Sequence, residues 1–148
     1  MSNATARKFG YPDTLIAEAG PWLVLLRPKQ TTLGALVLVC REDAQAFGEL
    51  SADAYATLRD AVRGCERLLK GFVDYERINY LMLMMVDPDV HYHVIPRYAE
   101  AREFAGTRYV DHGWPGPPAL ADAVEPEASA RDALIAELRR RWAATDDA

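Results

Sequence analysis

Two of the chain's three histidines stand one residue apart, in Asp89-Val90-His91-Tyr92-His93-Val94-Ile95-Pro96-Arg97. Val90, Tyr92, Val94 and Ile95 are β-branched or aromatic, so the segment reads as a strand. Side chains alternate across a strand, which places Asp89, His91 and His93 on one face and Val90, Tyr92 and Val94 on the other. Core packing accounts for the second face but not for the first. Imidazole is a good nucleophile near neutral pH because a large fraction is unprotonated there. His91 attacking a phosphorus would leave a phosphohistidine that water then hydrolyses, so one hard displacement becomes two easier ones. His93, facing the same way, would donate to a phosphoryl oxygen as charge builds on it. A second chemistry is open to the same residues. Asp89, His91 and His93, with His112 as a fourth, are ligand types used by zinc and non-haem iron. Same-face strand residues lie about 6.5 to 7 Å apart, so a shared metal would require the strand to curve.

Asp89 has three readings. It accepts a hydrogen bond from His91 and fixes the tautomer, as the third member of a triad does; it binds a hydroxyl or amine of a substrate; or it repels phosphate and weakens catalysis. The orienting role is the expectation carried forward. Arg97 either holds a distal phosphate or caps the strand end. Asn79 either reaches a ligand or makes a structural hydrogen bond. Pro96 has no N–H for a ladder and is expected to end the strand. Asp87, before Pro88, reads as a turn residue. His112 sits in a polar turn and reads as a surface residue when no metal is invoked.

The elements that must position these residues are legible around them. Residues 14–19 and 22–26 read as short strands separated by Gly20-Pro21, and 27–33 as a polar connector. Residues 35–40 are apolar on both faces, the pattern of a central strand. Residues 43–50 suggest a short helix. Ser51 is a candidate N-cap, and Tyr55, Leu58, Val62, Cys65, Leu69 and Phe72 form one apolar stripe at helical spacing. Residues 78–86 read as a strand tightly linked to the histidine strand, hence its antiparallel neighbour. Residues 99–126 are rich in Gly and Pro and read as loop. Residues 128–142 form a closing helix whose Arg139, Arg140 and Arg141 suit a solvated C-terminal end. Met82, Met84 and Met85 read as core filling. The order β-β-β-α-β-β-loop-α predicts an α+β domain with a mostly antiparallel sheet.

At 148 residues the chain suits one domain with a core of its own. A net charge of −5 argues against general attraction to nucleic acid, though not against a small phosphorylated ligand held by local Arg and Lys. Cys40 and Cys65 fall on apolar faces and read as small buried hydrophobes in a reducing compartment. No apolar run approaches membrane-spanning length, and the start Met1-Ser2-Asn3-Ala4 lacks a secretory apolar region. The expectation is a cytoplasmic protein that binds no membrane.

His91-Tyr92-His93-Val94-Ile95-Pro96-Arg97 closely resembles the second half of the histidine triad (HIT) motif, His-φ-His-φ-His-φ-φ, which often continues Pro-Arg. The run from Trp22 to Cys40, with its Arg-Pro connector and Gly34, resembles the first half of a HIT domain. The likeness covers roughly residues 10–105, with a variable C-terminal loop and helix at 106–148. It implies a HIT-like, mostly antiparallel five-stranded sheet with a helix packed on it and a C-terminal helix. It also implies a nucleotide hydrolase or nucleotidyl transferase acting on a phosphoanhydride or phosphoramidate. Matched by position, His91 is the nucleophile and His93 the phosphate ligand, while Asp89 stands where the first histidine of the motif is usual. Arg27-Pro28 occupies a region where the family often has a ribose-binding Asn or Asp. Met84-Met85-Val86-Asp87 has no equivalent of the polar residue often found before the motif. Phe9-Gly10-Tyr11, Leu15 and Ile16 would wall a base pocket, and Trp22 and Trp114 flank a purine or serve the core. The resemblance implies no cofactor, a small nucleotide as partner and a homodimer, with the helix bearing Tyr55 to Phe72 as part of its interface. The alternatives are the metal site and a nucleotide-binding module without turnover.

Overall fold

A computed structural model describes residues 4–146. Residues 1–3, which carry most of the expected leaderless start, and 147–148 lie outside them. The elements are α1 (Ala4–Lys8), β1 (Leu15–Ala19), β2 (Trp22–Leu26), β3 (Leu36–Cys40), α2 (Ala52–Val73), β4 (Arg77–Leu81), β5 (His91–Arg97), β6 (Arg102–Phe104), β7 (Thr107–Tyr109) and α3 (Ala128–Asp146). Strands β1 to β5 form one sheet in the order β1-β2-β3-β5-β4, with every neighbouring pair antiparallel. The expected α+β class and five-stranded antiparallel sheet are observed.

The sheet has two different faces. Val24, Leu26, Leu36, Leu38, Cys40 and Val94 pack on one side with Ala61, Cys65, Leu68 and Leu69 of α2 and Leu134 and Leu138 of α3. Each such valine or leucine stabilises the fold by roughly 1.5 to 3 kcal/mol through burial. Ser51 caps α2, its hydroxyl accepting from the Ala54 N–H at 3.0 Å. The helix stops at Asp74, which adopts the left-handed conformation at φ 47°. Trp22 is fully buried and donates its indole N–H to the Ala54 carbonyl at 2.8 Å, so it serves the core and not a purine. Gly64 exists for α3: a Cβ there would stand 2.2 Å from the Trp142 ring.

Leu23, Leu25, Val37 and Val39 cover the other face, roofed by Ala6 of α1 and by Phe9, Tyr11 and Leu15. The core therefore begins before residue 10, because α1 is short and polar in sequence yet supplies part of this roof. Directly opposed residues of an antiparallel pair share a face. The register Leu25↔Val37↔His93 and Leu23↔Val39↔His91 thus places both histidines on this roofed side.

Several boundaries differ from expectation for identifiable reasons. The 43–50 helix is only a 3-10 turn, Phe47–Glu49. The apolar run 78–86 leaves the sheet after Leu81; Met84 sits at φ 53°, and Met85 is 84% exposed, so it is not core filling. The strand β5 passes through Pro96 instead of ending there. The Pro96 carbonyl accepts from the Thr32 hydroxyl, so that side of the strand faces the β2–β3 connector, where no ladder N–H is needed. The Gly/Pro-rich 99–126 stretch contains the β6–β7 hairpin, turned by Ala105 and Gly106 at positive φ. The arginines of α3 are not merely solvated: Arg139 donates to the Leu15 carbonyl and Arg141 to the Gly71 carbonyl, tying α3 to β1 and α2. No helix of the described residues is long and apolar enough to cross a membrane.

Candidate active site

The register carries His91 and His93 to adjacent rows of one sheet face, with ring centroids 5.2 Å apart and edge-to-face. Phe9 packs against both, at 6.0 Å from His91 and 5.6 Å from His93. The rings are 2% and 8% exposed, and what remains open lies on the wall of a cleft of about 380 Å³. That volume lies in the range of small-molecule sites. The N-terminal segment supplies Lys8 and Phe9 to this cleft. The β2–β3 connector supplies Arg27, Pro28 and Lys29, the β4–β5 loop supplies Leu83 to Asp87, and the C-terminal loop supplies Leu120.

The tautomer of His91 follows from one contact. Its Nδ1 lies 2.7 Å from the backbone carbonyl of Asp89. A carbonyl can only accept, so Nδ1 carries hydrogen, and the neutral ring has its lone pair on Nε2. His93 is kept neutral by its surroundings. Burial lowers its pKa to about 4, helped by the positive charge of Arg27 and by His91, with Asp87 opposing. Its Nδ1 is buried and without a hydrogen-bond partner. A buried polar atom in that state is stabilised by a ligand that pairs with it.

Asp89 is where the sequence reading is corrected. It precedes the first residue of β5, so strand alternation does not extend to it. Its carboxylate accepts from the Thr5 N–H at 3.1 Å, while its own N–H donates to Thr5 Oγ1 at 3.2 Å. The carboxylate thereby caps α1 and fastens the roof segment to the histidine strand. It is the carbonyl of Asp89, not its side chain, that orients His91. The Asp89-His91-His93 metal set is not assembled, since one of its three donors points elsewhere. Among the described residues no group of three or more His, Cys, Asp or Glu is placed to hold a metal. His112 is exposed beside a separate polar hollow lined by Gln30, Tyr109 and Asp122.

Arg97 and Asn79, each with two readings, make contacts within the protein. Arg97 ends β5 on the histidine face but does not line the cleft. Its Nε donates to Asp111 Oδ2 at 2.7 Å, Nη1 to Asn79 Oδ1 at 2.8 Å, and Nη2 to Asp111 Oδ1 and the Gly116 carbonyl. Four of the five guanidinium N–H groups are committed to the protein, and neither residue lines the histidine cleft. Arg97, Asn79 and Trp114 border a different hollow, which removes Trp114 from the cleft.

The cleft residues that sequence reasoning missed are Lys8, Lys29, Asp87, Leu83 and Leu120, and Arg27 as a charge. Arg27-Pro28-Lys29, two cations around a proline in an acidic chain, was a signal in plain view. Lys8 and Asp87 had none, because they meet as an ion pair of 2.7 Å across 79 positions of sequence only through folding.

The fold matches solved structures. A histidine triad protein from Sinorhizobium meliloti superposes with a TM-score of 0.74 at 21% identity, covering 95% of this chain and 96% of that one. The fold is that of the histidine triad proteins. A histidine triad protein from Bradyrhizobium japonicum gives a TM-score of 0.72 at 21% identity over 95% of this chain and 96% of the other. A hypothetical histidine triad nucleotide-binding protein from Sulfolobus tokodaii gives 0.66 at 17% identity over 90% and 85%. No family model and no curated protein matches the sequence.

Proposed function

We propose that this protein is a nucleotide hydrolase or nucleotidyl transferase whose nucleophile is His91. The observation that carries the reading is the 2.7 Å contact of His91 Nδ1 with the Asp89 carbonyl, which leaves Nε2 basic at the wall of an open cleft. In the first displacement Nε2 forms a bond to phosphorus, and the phosphorus bond to the leaving oxygen or nitrogen breaks. The leaving group departs with the bonding electrons and takes a proton from water. The ring then carries positive charge, and the carbonyl accepting from Nδ1–H stabilises it. In the second displacement water attacks phosphorus, the phosphorus–nitrogen bond breaks, and Nε2 recovers its lone pair. In a transferase, an acceptor hydroxyl replaces water.

His93 supports the phosphoryl oxygens. A phosphate arriving beside it counteracts the cationic field and offers the partner that the ring lacks, so His93 turns toward its hydrogen-bonded or protonated form as ligand binds. The apolar side of the cleft, from Phe9 through Leu83, Met84, Met85, Val86 and Leu120, suits a base or an apolar leaving group. Two copies are expected to pair, since β4 is a sheet edge with β5 as its neighbour. Light scattering at twice the 16.5 kDa chain mass supports pairing, and a monomer mass refutes it.

The deciding experiment is turnover of a nucleotide panel by the wild-type protein and by His91→Ala. The expected result is loss of at least about a thousandfold in kcat, with retained circular dichroism. A mass increase of one nucleotidyl group should appear on wild type and vanish in the variant. Turnover that survives His91→Ala refutes the mechanism, and absence of turnover across the panel refutes the activity.

A further inference from the structure

His91 and His93 are oriented by different means. The plane of an imidazole turns about a broad, roughly two-fold torsion, so contacts outside the side chain must fix it. For His91 that contact is the Asp89 carbonyl, 2.7 Å from Nδ1. His93 has no such tie, since its Nδ1 is buried without a hydrogen-bond partner. Its ring meets aromatic neighbours instead. Phe9 stands against it at 5.6 Å between centroids and 82° between planes, and His91 at 5.2 Å and 81°. Phe9 closes the triangle by meeting His91 at 6.0 Å and 44°. Edge-to-face contact at these separations is a favoured geometry of aromatic rings. Two such contacts around one imidazole leave its plane little freedom.

The place of Phe9 is firmly set. Its N–H donates to the Thr5 and Ala6 carbonyls at 3.2 and 3.1 Å, and its carbonyl accepts from the Thr14 hydroxyl at 2.7 Å. Gly10 turns the chain at φ 90°, and a Cβ there would stand 2.7 Å from Thr14 Cγ2. Two hydrogen bonds join Thr5 to Asp89, and an ion pair of 2.7 Å joins Lys8 to Asp87. Ala6, fully buried, seats the segment on Leu23, Leu25, Val37 and Val39. A line of contacts therefore runs from Asp89 through Thr5 to Phe9 and on to His93. Asp89 orients one imidazole through its carbonyl and the other, at a distance, through its N–H and carboxylate.

We infer that Phe9 is a positioning residue for His93: its ring holds the imidazole edge-on beside His91 and keeps water off the side it covers. The inference rests on the phosphoryl-transfer reading of the cleft, in which His93 meets the phosphoryl oxygens, and adds the residue that aims it. A donor stabilises developing charge best when it is aimed before the charge appears. An imidazole free to turn would point elsewhere part of the time, which lowers kcat more than affinity. Phe9 also lines the cleft, and a residue that only walled the substrate would act on KM.

The test compares wild type with Phe9→Tyr, which keeps the ring, and with Phe9→Val and Phe9→Ala, which remove it. The first readout needs no substrate: a proton NMR titration of the His93 ring, assigned through His93→Gln. The charged groups that bear on this ring are Arg27, His91 and Lys8, which disfavour its protonated form, and Asp87, which favours it. The substitutions change none of them, so a moved midpoint reports the covering ring. With a pKa of about 4, His93 in wild type should stay neutral down to about pH 5. In Phe9→Val and Phe9→Ala its midpoint should rise above about pH 5 as water reaches the ring, and Phe9→Tyr should restore the wild-type titration. The second readout is turnover. Removing the ring should lower kcat at least about tenfold, and Phe9→Tyr should recover most of the loss. A His93 midpoint unmoved in Phe9→Ala, or a kcat that holds while only KM rises, overturns the inference. Should Phe9→Ala not fold, Phe9→Val decides by the same two criteria. The two readings fail separately. If no nucleotide is turned over, the catalytic reading falls and the titration alone decides the role of Phe9. If wild type forms the nucleotidyl adduct and the ringless variants match it in both readouts, only the role of Phe9 falls.

Discussion

His91 is oriented by the backbone of Asp89: Nδ1 meets the Asp89 carbonyl at 2.7 Å, while the Asp89 carboxylate faces Thr5. Side-chain and main-chain roles of one residue are therefore separable by mutation. Asp89→Asn keeps an acceptor for the Thr5 N–H and leaves the carbonyl in place. It should change kcat by less than about fivefold, whereas a triad carboxylate replaced by its amide loses about 10⁴. Asp89→Ala strands the Thr5 N–H and should lower stability by about 1 to 3 kcal/mol. Steady-state kinetics and denaturant unfolding of the two variants check this; a thousandfold drop in kcat for Asp89→Asn would restore the carboxylate to the mechanism.

Stability should fall with acid because of His93. Its pKa in the folded protein is about 4, below the ordinary histidine value of 6.5. As pH falls from 6.5 toward 4 the unfolded chain takes up the proton first, so the folded state loses stability across that window and keeps it above. The contribution is up to about 3 kcal/mol. Urea unfolding at pH 7 and pH 4.5 should show a larger loss for wild type than for His93→Gln. Equal losses would mean that the ring is protonated in the fold.

The Arg97–Asp111 pair should be structural. Its side chains are 4% and 1% exposed, and the closest contact is 2.7 Å. Asp111→Ala leaves a guanidinium buried without its charge partner and should cost about 3 to 5 kcal/mol, a fall of roughly 10 °C in Tm. Below the transition, KM for the nucleotide substrate should stay within about threefold, because Arg97 does not reach the cleft. A selective rise in KM without loss of stability would return Arg97 to substrate binding.

The β4–β5 loop should act on the substrate and not on the fold. Leu83, Met85 and Val86 are 49%, 84% and 80% exposed, a cluster that a chain of this kind seldom leaves open without use. Changing all three to serine should leave Tm within about 2 °C, as surface substitutions do. KM should rise about tenfold for substrates with a bulky apolar leaving group and less for those with a small one, the size of effect that lost apolar contacts give. An equal KM change for both substrates would assign the loop another role.

Period-two alternation in the 91–97 segment and the helical stripe ending at Phe72 were enough to place both imidazoles on one face of a sheet backed by a helix. These are local properties, carried by the geometry of strand and helix whatever the rest of the chain does. Cys40 and Cys65 in the core followed for the same reason. Asp89 was misplaced because alternation holds only inside a strand, and where β5 begins depends on the reach of β3 and β4 beside it. The roles of Arg97 and Asn79 stayed open because the two bond each other, and Arg97 bonds Asp111, which lies in a Gly/Pro-rich stretch without periodicity. The cationic wall of Lys8, Arg27 and Lys29 is tertiary in the same sense. It exists only where the end of α1 meets the β2–β3 connector, and the nearness of Lys8 to Arg27 and Lys29 leaves no trace in spacing along the sequence.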